Sequence, residues 1–123
     1  MKPARKSILI IDPEPSEIAR IQANLTGYNT DGVTSTDAAA EILLEPVPPF
    51  DLVILDPQTS GPVPGMVFAR TILTLYQVPL IILTTNRRSV DSGIVQRGVT
   101  VLAKDQHGSN DDLLWAVQQI LGT

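Results

Sequence analysis

Three short apolar runs, Ile8–Ile11, Leu52–Leu55 and Leu80–Leu83, carry no polar residue at alternate positions. A strand with one face in water alternates apolar and polar side chains. A run of four branched residues that does not alternate is buried on both faces. Such strands belong to a parallel sheet covered by helices on each side. Val99–Ala103 is a weaker run of the same kind. Thr30–Thr34 is less apolar, contains Gly32, and reads as an edge strand.

Helical patterns lie between the runs. Ser16–Leu25 places Ile18, Ile21 and Leu25 on one stripe. Thr36–Leu44 begins at a predicted Thr36 N-cap, with Asp37 in its first turn and Ala39, Ile42 and Leu43 on one face. The prolines of "EPVPPF" stop it. Gly65–Gln77 puts Phe68, Ala69, Ile72, Leu73 and Tyr76 on one side and Arg70, Thr74 and Gln77 on the other. Ser89–Arg97 is a loose helix, because Gly93 at its centre costs about 1 kcal/mol relative to Ala. Asn110–Leu121 gathers Leu113, Leu114, Val117, Ile120 and Leu121 on one face, with Asp111 and Asp112 in the first turn. Trp115 falls almost opposite that face.

Strand and helix therefore alternate five times, which predicts an open, doubly wound parallel sheet with helices on both faces. No linker, repeat or low-complexity stretch interrupts the chain, so residues 1–123 are expected to form a single domain. In such sheets ligands bind outside the carboxyl ends of the strands. Asp12, Asp56, Thr84 with Thr85, and Lys104 stand at those ends.

Composition narrows the function. A net charge of −4, with nine Lys and Arg and no basic run longer than a pair such as Arg87-Arg88, disfavours direct nucleic-acid binding. No apolar run is long enough to span a membrane or to form a signal-peptide core, so a cytoplasmic location is expected. The absence of cysteine removes disulfides and thiolate metal sites. The one histidine, His107, lies in the polar stretch "KDQHGSND" and reads as a solvated loop residue.

Two carboxylates, a hydroxyl and an ammonium at neighbouring strand ends have one coherent chemistry. Carboxylates hold Mg²⁺. One of them can accept a phosphoryl group as a nucleophile. The hydroxyl and the ammonium then take the phosphoryl oxygens. On this strand order, "ILIIDPEP", "PFDLVILDPQTSG", "VPLIILTT" and "GVTVLAK" with a terminal amphipathic helix resemble the receiver domain of two-component response regulators. The resemblance covers roughly residues 7–121. It implies a flavodoxin-like (βα)5 sandwich with a parallel sheet of order 2-1-3-4-5. It implies a signalling module, not an enzyme, served by a histidine kinase or phosphotransfer protein. Asp56 matches the phosphoacceptor, Asp12 the first acid of the metal-binding pair, Thr84 the switch hydroxyl and Lys104 the phosphoryl-contacting lysine. Gln58 matches the residue whose backbone carbonyl reaches Mg²⁺. Trp115 reads either as a singly exposed aromatic or as part of a contact face for a partner or a second copy. Receiver-like proteins often dimerise through the fourth and last helices, so the resemblance implies a homodimer through those helices, with Trp115 in the interface as one form of that contact.

The chain departs from that pattern at several places. Pro13 replaces the second acid, which weakens or removes the Mg²⁺ site; Glu14 follows one residue on. Ser60 replaces a turn proline, and one residue is inserted before Gly65. Asp105 follows Lys104 where proline is usual, and the spacing from Gly98 to Lys104 is one residue short. Val101 replaces the aromatic switch residue. These departures support an alternative, a pseudo-receiver that acts as a phosphate-independent interaction module. In either case Asp12 can cap a helix or pair with Lys104, and Lys104 can pair with Asp56 when no metal is bound. A phosphatase of the haloacid dehalogenase type needs Asp-x-Asp after a strand; "DPE" only imitates it and "DPQ" lacks it.

Overall fold

The computed structural model describes residues 5–43, 50–86, 90, 92–104 and 111–122. Five strands form one parallel sheet: β1 (Ser7–Ile11), β2 (Asn29–Val33), β3 (Leu52–Leu55), β4 (Leu80–Thr84) and β5 (Thr100–Ala103). Their order is β2-β1-β3-β4-β5. The helices are α1 (Pro15–Asn24), α2 (Thr36–Leu43), α3 (Gly65–Thr71), α4 (Ser92–Val95) and α5 (Asp111–Leu121). Arg87, Arg88, Ser89, His107, Asp105, Asn110, Leu44 and the proline run before Phe50 lie outside the described residues.

The lack of polar alternation is explained by two cores. Leu9, Ile11, Val53, Leu55, Leu80 and Ile82 face one side, where Ala39, Leu43, Phe68, Ala69, Ile72 and Ile94 cover them. Ile8, Ile10, Leu52, Ile54, Ile81 and Leu83 face the other, beneath Ile18, Ile21, Leu25, Leu113, Ala116 and Val117. Successive side chains of a strand point to opposite faces, so both parities must be apolar here. β2 pairs only with β1 and is largely exposed, as expected of an edge strand.

Gly32 on that edge makes close packing of α1 possible. A Cβ on it would lie 2.3 Å from the Ile18 Cγ2 methyl. Pro15 opens α1 at its first position, where the missing N–H would have had no intrahelical partner.

Two helical expectations are corrected. Thr36 is not the N-cap of α2. Ser35 holds that place, its Oγ accepting the Ala38 N–H at 3.3 Å, while the Thr36 hydroxyl turns to the Val63 carbonyl. The predicted Gly65–Gln77 helix is not α-helical throughout. It is α-helical to Thr71, then a π-helical turn over Ile72–Tyr76, ended by Gln77 in the left-handed conformation with φ 52°. The wider turn keeps Ile72 buried and leaves Leu75 exposed. α4 is a single turn over its described residues and contains Gly93.

Candidate functional site

The site grows out of strand register. Ile11 pairs with Leu55, so the next residue of each strand, Asp12 and Asp56, emerges at the same level. The ladder continues one step further, with the Asp56 N–H donating to the Ile11 carbonyl at 2.9 Å. Strands β2 and β3 flank β1, so the chain reverses direction across the sheet at β1 and β3. Sheets of this kind open a crevice at that switch point. Lys104 arrives from β5, its N–H donating to the Thr84 carbonyl at 2.7 Å.

Lys104 joins the two acids. Its Nζ donates to Asp12 Oδ2 at 2.7 Å and to Asp56 Oδ2. Both aspartates are buried, and the Lys104 side chain is 10% exposed. The second oxygen of each acid is also occupied. Asp12 Oδ1 accepts the Glu14 N–H at 2.9 Å, and Asp56 Oδ1 accepts the Gln58 N–H at 2.7 Å. Each is an Asx turn across a proline, Pro13 or Pro57, which has no N–H to offer. Of the two roles expected of Asp12, the structure shows the pairing with Lys104 and not the helix cap: Glu14 is the N-cap of α1, and Asp12 closes the Asx turn that precedes it.

Burial raises the Asp12 carboxyl above its ordinary range, and the bond from Lys104 only partly offsets this. Burial pushes the Lys104 ammonium down, but its bonds to Asp12 and Asp56 outweigh this and raise it overall.

Thr84 is fully buried at the end of β4, between β3 and β5. Its hydroxyl is not on Asp56. It accepts the Asn86 N–H at 3.0 Å and lies 3.2 Å from the Asn86 carbonyl. Gln58 is exposed and meets Asp56 through its backbone N–H. Trp115 is not part of this cluster; it stands on α5 with 64% of its surface exposed.

The chemistry of the donor set is compatible with Mg²⁺. Asp12 and Asp56 supply two carboxylates, which suffices for an ion that keeps most of its waters. Pro13, between Asp12 and Glu14, offers no side-chain oxygen. Glu17, one turn into α1, does not replace it, since its carboxylate is paired with Arg20 at 2.7 Å. Among the described residues no group of three or more His, Cys, Asp and Glu side chains could hold a metal ion. Lys104 already sits between the two acids, so a cation must compete with its ammonium.

The loop after Asp56 holds what the sequence did not reveal. Gly65 packs against the Pro57 carbonyl so closely that a Cβ would lie 2.5 Å from the oxygen. Thr59, at 2% exposure, buries a hydroxyl that has no hydrogen-bond partner among the described residues. Thr36 reaches the same loop from α2. The only signal available in the sequence was the glycine and proline content of "SGPVPG", which marks a tight path without saying what it packs against.

No family model and no curated protein sequence matches the chain. Many solved structures do. The signal receiver domain of an HD domain-containing protein from Pseudomonas fluorescens is 21% identical, with a TM-score of 0.78 over 96% of this chain and 95% of that one. The response regulator TrrA from Thermotoga maritima, solved in complex with Mg²⁺ and a beryllium fluoride, is 24% identical, with a TM-score of 0.78 over 94% and 98%. The beryllofluoride-activated receiver domain of RstA from Klebsiella pneumoniae is 22% identical, with a TM-score of 0.78 over 96% and 100%. The chain has the flavodoxin-like fold of response-regulator receiver domains, in the expected strand order. No helix among the described residues is long and apolar enough to cross a membrane.

Proposed function

We propose that the chain is a receiver module of two-component signalling in which Asp56 accepts a phosphoryl group from a histidine kinase or phosphotransfer protein. The observation that carries this reading is the Lys104 ammonium bridging Asp12 and Asp56 at the switch point of the sheet. An Asp56 carboxylate oxygen attacks the phosphorus of a phosphohistidine. The P–O bond forms as the P–N bond breaks, and the departing imidazole nitrogen takes up a proton. Such transfers depend mainly on positioning and charge neutralisation. Lys104 neutralises charge on the incoming phosphoryl oxygens while staying paired with Asp12. Asp12, Asp56 and the Gln58 carbonyl would hold Mg²⁺, which supplies further neutralisation when bound.

Thr84 provides the switch. Its hydroxyl leaves Asn86 and donates to a phosphoryl oxygen on Asp56, so the segment from Thr85 to Lys104 has two arrangements that phosphorylation biases. The test is exposure to beryllofluoride or a small acyl phosphate with Mg²⁺. The expected result is an adduct on Asp56, absent in Asp56→Asn, with amide shifts from Thr84 to Lys104. No adduct and no shifts would reject the reading.

A second reading is favoured by Pro13 and by the occupation of every Asp12 and Asp56 carboxylate oxygen. It is a pseudo-receiver that works through contact alone. Trp115 on α5 and Val95 on α4 are both exposed and would serve a partner or a second copy of the chain. Under this reading Asp56→Asn leaves self-association or partner binding unchanged and Trp115→Ala weakens it. Binding lost with Asp56→Asn returns the choice to the first reading.

A further inference from the structure

We infer that Thr36 is a positioning residue for Asp56, acting across the molecule from the start of α2; its role in phosphoryl transfer rests on the receiver reading above. The Thr36 N–H donates to the Ser60 carbonyl at 3.1 Å. Its hydroxyl donates to the Val63 carbonyl at 2.7 Å. Between those acceptors Gly61 takes a φ of +151°, and a Cβ there would lie 2.2 Å from Thr36 Oγ1. Thr36 is fully buried, so these bonds compete little with water. One residue thus clamps both halves of the loop that runs from Asp56 to α3.

The loop needs the clamp. The path it follows leaves the Thr59 hydroxyl buried without a partner among the described residues, which is unfavourable. A path that exposed Thr59 would recover part of that cost. It would also draw on Gln58, the preceding residue, whose N–H holds Asp56 Oδ1. The two bonds to Thr36 oppose this drift. They therefore hold the Gln58 amide in place, and through it the rotation of the Asp56 carboxylate.

Thr36→Val removes the hydroxyl at nearly constant volume and leaves the backbone bond to Ser60; Thr36→Ser keeps the hydroxyl. Variants of the 123-residue chain are compared by the Gln58 amide resonance and by the rate at which a small acyl phosphate with Mg²⁺ labels Asp56. In Thr36→Val the Gln58 amide is expected to move and labelling to slow, by up to about fivefold, the factor by which one hydrogen bond of ordinary net strength changes an equilibrium constant. Thr36→Ser should restore both. A Gln58 amide left in place by Thr36→Val, or a labelling rate equal to that of a labelled wild type, overturns the inference even if stability falls. So does a loss that Thr36→Ser fails to rescue. If the wild type itself takes no label, the phosphoacceptor reading fails, and the Gln58 amide alone decides whether Thr36 positions the loop.

Discussion

Replacing Lys104 with Met retains most of the buried stem and removes only the ammonium. Asp12 and Asp56 are then two buried carboxylates, at 2% and 5% exposure, with no cation between them. Breaking a buried ion pair by deleting one partner costs about 3–5 kcal/mol. Proton uptake sets an independent ceiling. A carboxyl with an ordinary pKa near 3.9 can be kept protonated at pH 7 for about 4 kcal/mol, and at pH 5 for about 1.5 kcal/mol. Uptake of one proton by the pair relieves the repulsion between the two acids.

The sign follows from linkage. A carboxyl whose folded pKa is raised contributes stability below its unfolded pKa and loses it as pH rises through the folded value. The gap between Lys104→Met and the wild type should therefore be about 4 kcal/mol at pH 7 and narrow to about 1.5 kcal/mol at pH 5. At a slope of roughly 2 kcal/mol per molar, the urea midpoint falls by about 2 M at pH 7. Urea titrations followed by far-UV circular dichroism at both pH values measure this. Equal midpoints at pH 7, or the same gap at both pH values, would refute the idea that Lys104 neutralises two buried acids. The raised Lys104 pKa adds an alkaline counterpart in the wild type. Its stabilisation is complete below the usual lysine range and is lost as pH rises through the higher folded value.

Two predictions concern backbone positions. Gly32→Ala should destabilise the fold by about 1–3 kcal/mol, because its Cβ meets the Ile18 methyl at 2.3 Å. In an Ile18→Ala background the added cost should largely vanish, and equal costs in both backgrounds, measured by chemical denaturation, would disprove the clash. Gln77→Gly should raise the thermal midpoint. Relief of a left-handed side-chain residue at φ 52° exceeds the entropy that glycine adds to the unfolded chain, for a net gain of about 0.5 kcal/mol. A lower midpoint would mean that the Gln77 side chain itself stabilises the turn.

The strands were legible because their pattern has a single physical reading. Ile8–Ile11 and Leu52–Leu55 have nothing polar to turn toward water, so each had to be covered twice. The place of the acids that follow them was legible for the same reason, since a charge next to such a run emerges at a strand end. The stripe of α5 and the exposure of Trp115 followed from helical period alone. The π-helical turn that follows α3 was not legible. Phe68, Ala69 and Ile72 keep an ordinary helical spacing, and the change of pitch is decided by how Ile72 and its neighbours seat on the sheet.

The sequence by itself determined the order of the elements, the doubly covered sheet, and the residues that stand at its carboxyl edge. These depend on local periodicity and on where apolar runs stop. Only the tertiary structure decided what those residues do to one another. It placed Lys104 on Asp12 and Asp56 together, turned the Thr84 hydroxyl toward Asn86, and set Thr36 against the loop of Ser60 and Val63. Those contacts span up to 92 positions of chain. They arise from the register of neighbouring strands and the packing of one loop on one helix end, and no local pattern encodes either.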